Sequence, residues 1–149
     1  MNKPMKKIVI CTLLAIVLCY GTASAKRLSV AVNKANVRSG PGTNYEILWS
    51  VEKYCPFNIV KKSGSWYEIR DFEGDKGWVY HSLLKKIHSV IVKGTIINVR
   101  EGPGTNSKVL FQAEKGVSFK VLKSKKQWLK VQHADGEIGW IHKSLVWGY

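Results

Sequence analysis

The feature that most constrains the fold of this 149-residue chain is a nine-residue stretch that occurs twice. Residues 36–44 read NVRSGPGTN and residues 98–106 read NVREGPGTN, so only Ser39 and Glu101 differ. A fixed offset of 62 positions also aligns glycines and tryptophans further along, which indicates one structural unit laid down twice; two copies are too few for a solenoid. The other matched pairs are Phe57 with Phe119, Trp66 with Trp128, Gly74 with Gly136, Gly77 with Gly139, Trp78 with Trp140, Ser82 with Ser144 and Leu83 with Leu145.

The repeated stretch carries a turn signal at its centre. Pro41 has the φ that the second position of a β-turn requires, and Gly42 can take the positive φ that the third position of a type II turn needs. We therefore predict a type II turn here. Asn36 can bond nearby backbone groups through its amide, and Arg38 carries a planar, charged donor fork. Either these two side chains hold a rigid loop, or the loop presents Arg38 and Arg100 to an acidic ligand.

Short apolar or alternating segments predict an all-β fold. No helical period persists for three turns, and the segments recur at spacings of about ten residues, which is typical of a barrel or sandwich. A single helical turn capped by Ser82 is expected after the last strand of the first copy. The predicted strands, five per copy, are residues 28–32, 47–51, 56–60, 66–70 and 78–80, then 89–92, 109–112, 117–123, 128–132 and 139–142.

The first 25 residues have the pattern of a signal peptide helix. Three lysines lie within residues 1–7, residues 8–20 are apolar, and Ala23, Ser24 and Ala25 offer the small side chains of a cleavage site. We expect cleavage after Ala25, and the apolar run is short for a membrane span. Acylation of Cys19 is disfavoured because Leu18 is bulky where lipoprotein processing prefers a small residue. The expected location is periplasmic or secreted, with no membrane span after cleavage.

The net charge favours an anionic partner. The whole chain carries +14, and removal of the three leader lysines leaves +11. An anionic envelope polymer, a phospholipid surface, an acidic glycan or nucleic acid would fit this balance. The export signal argues against nucleic acid. Lysine clusters lie at residues 61–62, 85–86 and 123–130.

The titratable residues do not assemble a catalytic or metal site in the sequence. Cys55 is the only cysteine after residue 25, and its counterpart Val117 indicates a small buried apolar position. Glu73 and Asp75 lie in a glycine turn, where solvation is the default. No nucleophile, base and orienting group can be combined, so we expect no enzyme activity, no cofactor and no metal. Metal-ligand spacing is lacking for His81, His88, His133 and His142.

These motifs resemble the bacterial SH3-like (SH3b) family. The resemblance rests on Asn-Val-Arg-x-Gly-Pro-Gly-Thr, then Trp-x-x-(Ile/Val), then Gly-Trp-(Val/Ile), then a closing Ser-x-(Leu/Val). The first set occupies residues 36–43, 66–69, 77–79 and 82–84, and the second occupies residues 98–105, 128–131, 139–141 and 144–146. The match covers nearly all of residues 26–149 in two tandem copies.

The resemblance implies two small SH3-like β-barrels behind the signal peptide helix. We expect domains at residues 26–86 and 87–149, each with five to seven strands, held in a fixed relative orientation by a short linker without Gly or Pro. It also implies an exported, non-enzymatic module of the kind that holds enzymes or envelope proteins on peptidoglycan. Proline-rich ligands are disfavoured because residues 38–44 contain no acid.

The candidate ligand-binding residues are aromatic and cationic side chains of both copies. Trp66 and Trp128 either pack at the core or rim, or form stacking platforms for sugar rings or a peptide stem. Gly77 leaves room for an indole on the backbone. A groove lined by Tyr45, Trp66 and Tyr80 would be richer in aromatic side chains in the first copy, because Ser107 and His142 replace the two tyrosines in the second. We therefore expect the first copy to be the better binder. The full candidate set is Arg38, Tyr45, Trp66, Trp78, Tyr80, Arg100, Trp128, Trp140 and His142.

The sequence therefore favours an exported tandem SH3b protein that binds peptidoglycan or another cell-wall component, including an anionic envelope polymer. The alternative is a periplasmic adaptor that binds an envelope enzyme or a secretion component. The aromatic tail, residues 147–149, either covers the second barrel or docks on a partner.

Overall fold

The computed structural model describes residues 26–149. The expected signal peptide, its cleavage after Ala25 and the question of acylation at Cys19 lie outside the described residues. The first repeat contains β1 Arg27–Val30, β2 Lys34–Arg38, β3 Ile47–Glu52, β4 Pro56–Ser63, β5 Trp66–Arg70, β6 Lys76–Tyr80, a 3₁₀ turn His81–Leu83 and β7 Leu84–Lys85. The second contains β8 Ser89–Val92, β9 Ile96–Arg100, β10 Val109–Glu114, β11 Ser118–Lys125, β12 Trp128–Gln132, β13 Ile138–His142, a 3₁₀ turn Lys143–Leu145 and β14 Val146–Trp147.

Both repeats form the same antiparallel sheet of seven strands. The strand order is β3-β2-β6-β5-β4-β1-β7 in the first and β10-β9-β13-β12-β11-β8-β14 in the second, so every strand has its equivalent at the same place. The predicted all-β, two-copy architecture is confirmed. The count of five strands per copy was low, because β2 and β9 extend the start of the repeated stretch into a strand. The two-residue strands β7 and β14 pair with β1 and β8 and are too short to show a period.

Each sheet encloses its own apolar core. Phe57 is fully buried in the first core and Phe119 in the second, and the surrounding buried side chains also match at the 62-residue offset. Burial of one such side chain stabilises the fold by about 1.5–3 kcal/mol. The equivalent core pairs are Val30 with Val92, Val37 with Val99, Ile69 with Val131 and Val79 with Ile141.

The repeats meet along a seam formed by β1 and β8. All four residues of β8 are buried, although the alternation predicts one solvated face. The hydroxyls of Ser29 and Ser89 lie 2.6 Å apart across the seam, and Ser29 also donates to the Ile87 carbonyl at 3.1 Å. Ile91 packs into the core cluster of the first repeat. The outward faces of these strands are therefore buried against the neighbouring repeat.

The C-terminal tail also joins the repeats. Trp147 belongs to β14 of the second sheet but packs against the first core. The Arg27 guanidinium lies 4.5 Å from the centre of the Trp147 ring, and it donates a hydrogen bond to the Gly148 carbonyl. The tail also covers part of the second repeat, as one of the two expectations held, since the Lys143 ammonium lies 5.7 Å from the centre of the Tyr149 ring. Its contacts with the first repeat were not expected.

Gly77 accommodates the neighbouring strand β2, and the ring of Trp49 also lies close to it. A Cβ at Gly77 would stand 2.3 Å from Cγ1 of Val37 and 3.2 Å from the Arg38 carbonyl oxygen, and the ring of Trp49 lies 3.5 Å away. Gly139 has the same relation to Val99, at 2.4 Å. The glycine thus lets β2 and β6 approach closely.

Replacing Gly77 by alanine should therefore destabilise the protein by about 1–3 kcal/mol, the usual effect of overpacking a filled core. Urea unfolding measures the change. Gly94→Ala is the matched control, because its added Cβ would meet only Ile97 Cγ2 at an ordinary 3.5 Å. Equal stability of the two variants would contradict this assignment.

Cys55 occupies a buried position beside the seam, as its counterpart Val117 indicated. Burial raises the pKa of its thiol from 9.0 to about 12, while a hydrogen bond with Ser118 has the smaller, opposite effect.

We expect a thiol reagent at pH 8 to leave Cys55 of the folded protein unlabelled and to label it fully in denaturant. The folded state holds the Cys55 proton more tightly, so the free energy of unfolding should fall as the pH rises from about 9 to about 12. Cys55→Val should remove this part of the pH dependence. Rapid labelling of the folded wild-type protein would contradict the buried position of the thiol.

Candidate functional site

The loop after β2 is held by the side chain at the end of that strand. Nη1 of Arg38 donates to the carbonyls of Thr43 at 3.0 Å and Tyr45 at 2.8 Å. Arg100 makes the equivalent bond to the Ser107 carbonyl at 2.8 Å. In both repeats the arginine therefore holds its own loop, which is the first of the two roles considered from the sequence.

Asn36 does not bond the loop backbone. Its amide oxygen accepts from the Ser50 hydroxyl at 2.8 Å and so ties β2 to β3. In the second repeat, Gln112 donates to Asn98 in the same way at 3.0 Å. The loop is therefore held by its arginine, while the asparagine connects the two strands.

The predicted type II turn is wrong, because Gly42 does not adopt a positive φ. The Gly42 amide instead bonds the Gly40 carbonyl at 3.0 Å, an i to i+2 bond that makes a γ-turn around Pro41. The glycines are needed for packing: a Cβ at Gly40 would lie 2.3 Å from Cδ1 of Tyr45. The Tyr45 ring thus covers the turn.

A groove of about 580 Å³ lies between this loop and the outer face of β5 and β6 in the first repeat. Trp66 and Tyr80 are cross-strand partners on its floor, with ring centres 5.5 Å apart at an edge-on angle of 69°. Arg38 and the loop form one wall. The groove is lined by Lys34, Ala35, Asn36, Arg38, Gly42, Thr43, Asn44, Trp66, Tyr80 and Leu83.

The second repeat has the equivalent groove, of about 400 Å³. Trp128 and His142 pair edge-on at 5.2 Å on its floor. The groove is less cationic, since Ile96 stands where the first has Lys34. Its lining is Ile96, Ile97, Asn98, Arg100, Thr105, Trp128, His142, Ser144 and Leu145.

His142 also caps the 3₁₀ turn that follows β13. Its Nδ1 accepts from the Ser144 amide at 3.3 Å and lies 2.7 Å from the Ser144 hydroxyl, so it caps the 3₁₀ turn. The expected cap by Ser82 in the first repeat is wrong, because Ser82 lies inside the turn and Tyr80, at the N-cap position, makes no side-chain cap bond.

The structure brings six of the nine candidate residues into the two grooves: Arg38, Trp66, Tyr80, Arg100, Trp128 and His142. Three lie elsewhere. Tyr45 covers the glycine turn, Trp78 lies under the ammonium of Lys61 at 5.5 Å, and Trp140 is only 9% exposed.

Two further residues line the first groove that were not among the predicted candidates, Lys34 and Leu83. The matched pair of Leu83 with Leu145 was a signal for the second of these. Lys34 has no matched lysine, because Ile96 takes its place, so no sequence pattern distinguished it.

The β12–β13 turn brings together three groups that the sequence spacing had not suggested as a cluster. Ligand atoms of His133, Asp135 and Glu137 lie within 4.8 Å of one another. Both Asp135 oxygens are engaged, by the Glu137 amide at 3.0 Å and by His133 at 2.8 Å, and the first of these bonds is the main cause of its lowered pKa. Asp71 holds the equivalent turn of the first repeat by accepting from two backbone amides. The cluster therefore has a structural role in the turn.

The model of the bacterial SH3 domain matches residues 31–86 and again residues 93–148. The chain belongs to the bacterial SH3 domain family. These two bacterial SH3 repeats account for both seven-stranded sheets, and the recognition made from the repeated motifs is confirmed.

Two curated relatives carry cell-wall names. The chain is 28% identical over 161 residues to "Putative N-acetylmuramoyl-L-alanine amidase YrvJ" of Bacillus subtilis, covering 98% of this chain and 31% of that protein. It is 27% identical over 113 residues to "Probable cell wall amidase LytH" of Staphylococcus epidermidis, covering 68% of this chain and 39% of that protein. The chain thus spans less than two fifths of the length of either relative.

Solved structures with similar sheets include an NlpC/P60 family protein from Bacillus cereus, at a TM-score of 0.40 and 14% identity over 83% of this chain and 56% of that one. NlpC2 from Trichomonas vaginalis has a TM-score of 0.39 and 11% identity over 83% of this chain and 48% of that one. The family assignment rests on the two repeat matches and not on these superpositions.

Within residues 26–149, the structure contains no helix with the length and apolar character needed to cross a membrane.

Replacing Arg38 by methionine should loosen the loop, because the apolar side chain cannot donate the two bonds that Nη1 of Arg38 makes to the Thr43 and Tyr45 carbonyls. We expect a loss of about 1–3 kcal/mol in the free energy of unfolding, the range for losing one or two hydrogen bonds. Arg100→Met is the matched comparison and should lose less, since Arg100 makes one such bond. Unfolding in urea measures both variants, and a wild-type value for Arg38→Met would show that these bonds do not hold the loop.

Proposed function

We propose that this chain is an exported, non-enzymatic protein that uses its two grooves to bind peptidoglycan or another cell-wall component. The observation that carries the proposal is the pair of equivalent grooves, each with a tryptophan floor and a wall held by an arginine. The residues that bind ligand are proposed to be those of the candidate set that line these grooves. The domain boundaries at residues 26–86 and 87–149 remain a prediction.

The chemistry of the first groove supports a glycan or muropeptide ligand. The indole of Trp66 offers a flat apolar face for a sugar ring or an aliphatic stem, and Tyr80 and Asn36 offer polar atoms at its edges. Lys34 adds a cation for a carboxylate. The first groove is larger and more cationic than the second, so we propose it as the stronger binder.

The relatives named as cell-wall amidases support the location and the class of ligand. The chain aligns with only part of each, so we assign to it attachment to the wall and not cleavage. Three groups of residues 26–149 could be considered for catalysis, and we assign a catalytic role to none of them: Cys55 is buried with a raised pKa, and His133 is engaged with Asp135. The Nδ1 of His142, which lies 2.7 Å from the Ser144 hydroxyl, also accepts from the Ser144 amide and so belongs to the cap of the turn. The proposed location is periplasmic or secreted.

A second candidate function, an adaptor for an envelope protein, is favoured by the outermost strands of the sheets. Ile47 and Leu48 of β3 are each 46% exposed, and their counterparts Val109 and Leu110 of β10 are also exposed. Both strands lie at the end of their sheets. Apolar edge strands are suited to pairing with an extended segment of another protein.

Co-sedimentation with purified sacculi tests the wall-binding proposal. The protein should pellet with sacculi, and Trp66→Ala should weaken binding about tenfold or more, because loss of an aromatic platform costs about 1–3 kcal/mol. Trp128→Ala, the matched variant of the second repeat, should weaken it less. Circular dichroism should show both variants folded.

Failure of the wild-type protein to pellet at low salt would overturn the wall-binding proposal. Recovery of one stoichiometric protein partner by pulldown, together with that failure, would favour the adaptor. Clearing of a cell-wall substrate gel by the purified protein would overturn the non-enzymatic assignment.

A further inference from the structure

The β11–β12 hairpin of the second repeat places like charges opposite each other. Lys123 is the cross-strand partner of Lys130, and Lys125 is the partner of Trp128. Because directly opposed residues share a face of the sheet, these side chains lie together on the outer face. Lys126 follows at the hairpin turn. We refer to Lys123, Lys125, Lys126 and Lys130 as the lysine hairpin.

The first repeat has an ion pair at the equivalent positions. The partner of Lys61 is Glu68, and the two form an ion pair at 3.6 Å. The 62-residue offset places Lys130 where the first repeat has Glu68. Like charges directly opposite each other destabilise a sheet. The second repeat therefore replaces a favourable pair with an unfavourable one.

The turn of this hairpin also has a lysine where the first repeat has a residue better suited to the local backbone. Gly64 has φ +54° in the first repeat, and its counterpart Lys126 has φ 52° in the second. Residues with side chains rarely adopt this left-handed conformation, which glycine tolerates. Unfavourable local choices of this kind are expected where function requires them.

No acidic side chain within the described part of the chain forms an ion pair with the lysine hairpin. A cavity of about 490 Å³ lies beside it, on the side of Trp128 where Lys125, Lys126 and Pro103 contribute to the lining. An anion in this cavity would thus meet the side chains of two lysines and of Trp128, with Lys123 and Lys130 further along the same face of the hairpin.

We propose that the lysine hairpin binds a phosphodiester-linked polyol polymer of the cell envelope. Lysine binds phosphate as a compact point charge on a flexible stem, without the fixed bidentate geometry through which arginine recognises carboxylate and phosphate alike. The nearby Arg100 already bonds the loop. Lys123 and Lys125 lie two residues apart on one strand, about 7 Å, so the charges suit a chain of repeating anions. Trp128 offers its face to the polyol or a sugar substituent. This assignment rests on the proposed function, of which it names the anionic polymer and its site.

De-acylated polyglycerol phosphate, titrated into the full protein by calorimetry at two salt concentrations, is the direct probe. Lys130→Glu restores the arrangement of the first repeat and should weaken this binding at least tenfold. Its thermal midpoint should be equal to or above that of the wild type, because repulsion is replaced by attraction. Lys126→Gly should also weaken binding without loss of stability.

Lys93→Glu is the matched control, because it makes the same change in net charge at an exposed position outside the hairpin. It should change binding less than twofold. An equal effect of Lys93→Glu and Lys130→Glu would overturn the proposal, since binding would then follow net charge alone. Equal affinity of the protein for single-stranded DNA of the same charge would overturn the polyol assignment, and absence of wild-type binding would overturn the site.

Sacculi stripped of phosphate polymers separate this proposal from the wall-binding one. Lys130→Glu should bind stripped sacculi as the wild type does, and Trp66→Ala should not. If neither form of sacculi is bound while Lys130→Glu still weakens binding to polyglycerol phosphate, the peptidoglycan assignment fails and the polymer site stands.

Discussion

The bonds from one guanidinium to the carbonyls of Thr43 and Tyr45 determine the shape of the first groove. Without them, the loop after β2 would be held by its backbone bonds, such as that from the Ser39 amide to the Glu46 carbonyl, and by the Tyr45 ring. The Tyr45 ring then closes over the glycines, which are small because that ring must lie on the backbone. Arg38 thus serves the binding surface mainly by holding its wall, whichever ligand the groove receives. The second repeat keeps the arginine and the glycines but has Ser107 in place of the tyrosine.

Much of this architecture could be predicted because the sequence contains the same unit twice. Matched residues at one offset indicated two units, and the alternating segments located most of the strands. The polar and aromatic positions of the grooves were found because Trp66 and Tyr80, and their counterparts, lie in strands with clear alternation. A repeated pattern therefore predicts the features that both copies share.

The features that were not predicted depend on contacts that no local sequence pattern indicates. The two-residue strands have no measurable period, and the full burial of β8 arises from the neighbouring repeat and not from its own sequence. The turn at Pro41 was predicted from the φ preference of glycine, but the hydrogen bonds of Arg38 and the packing of Tyr45 decided its type. The close approach of β2 to Gly77 was likewise not predicted, because Val37 lies 40 residues earlier in the chain. The lysine hairpin became apparent only when the register paired Lys123 with Lys130.

The seam has a consequence for how the molecule engages a long ligand. A repeat of about 60 residues is marginally stable alone, since a domain of that size buries only about 60% of its chain surface. The contacts of Ser29 with Ser89 and of Arg27 with the tail join the repeats in one arrangement. The two grooves therefore have a set separation, and under the proposed function a polymer bound at one would be presented to the other at high effective concentration. The same tandem geometry would discriminate between polymers by the period of their repeating units, a selectivity that neither repeat has alone.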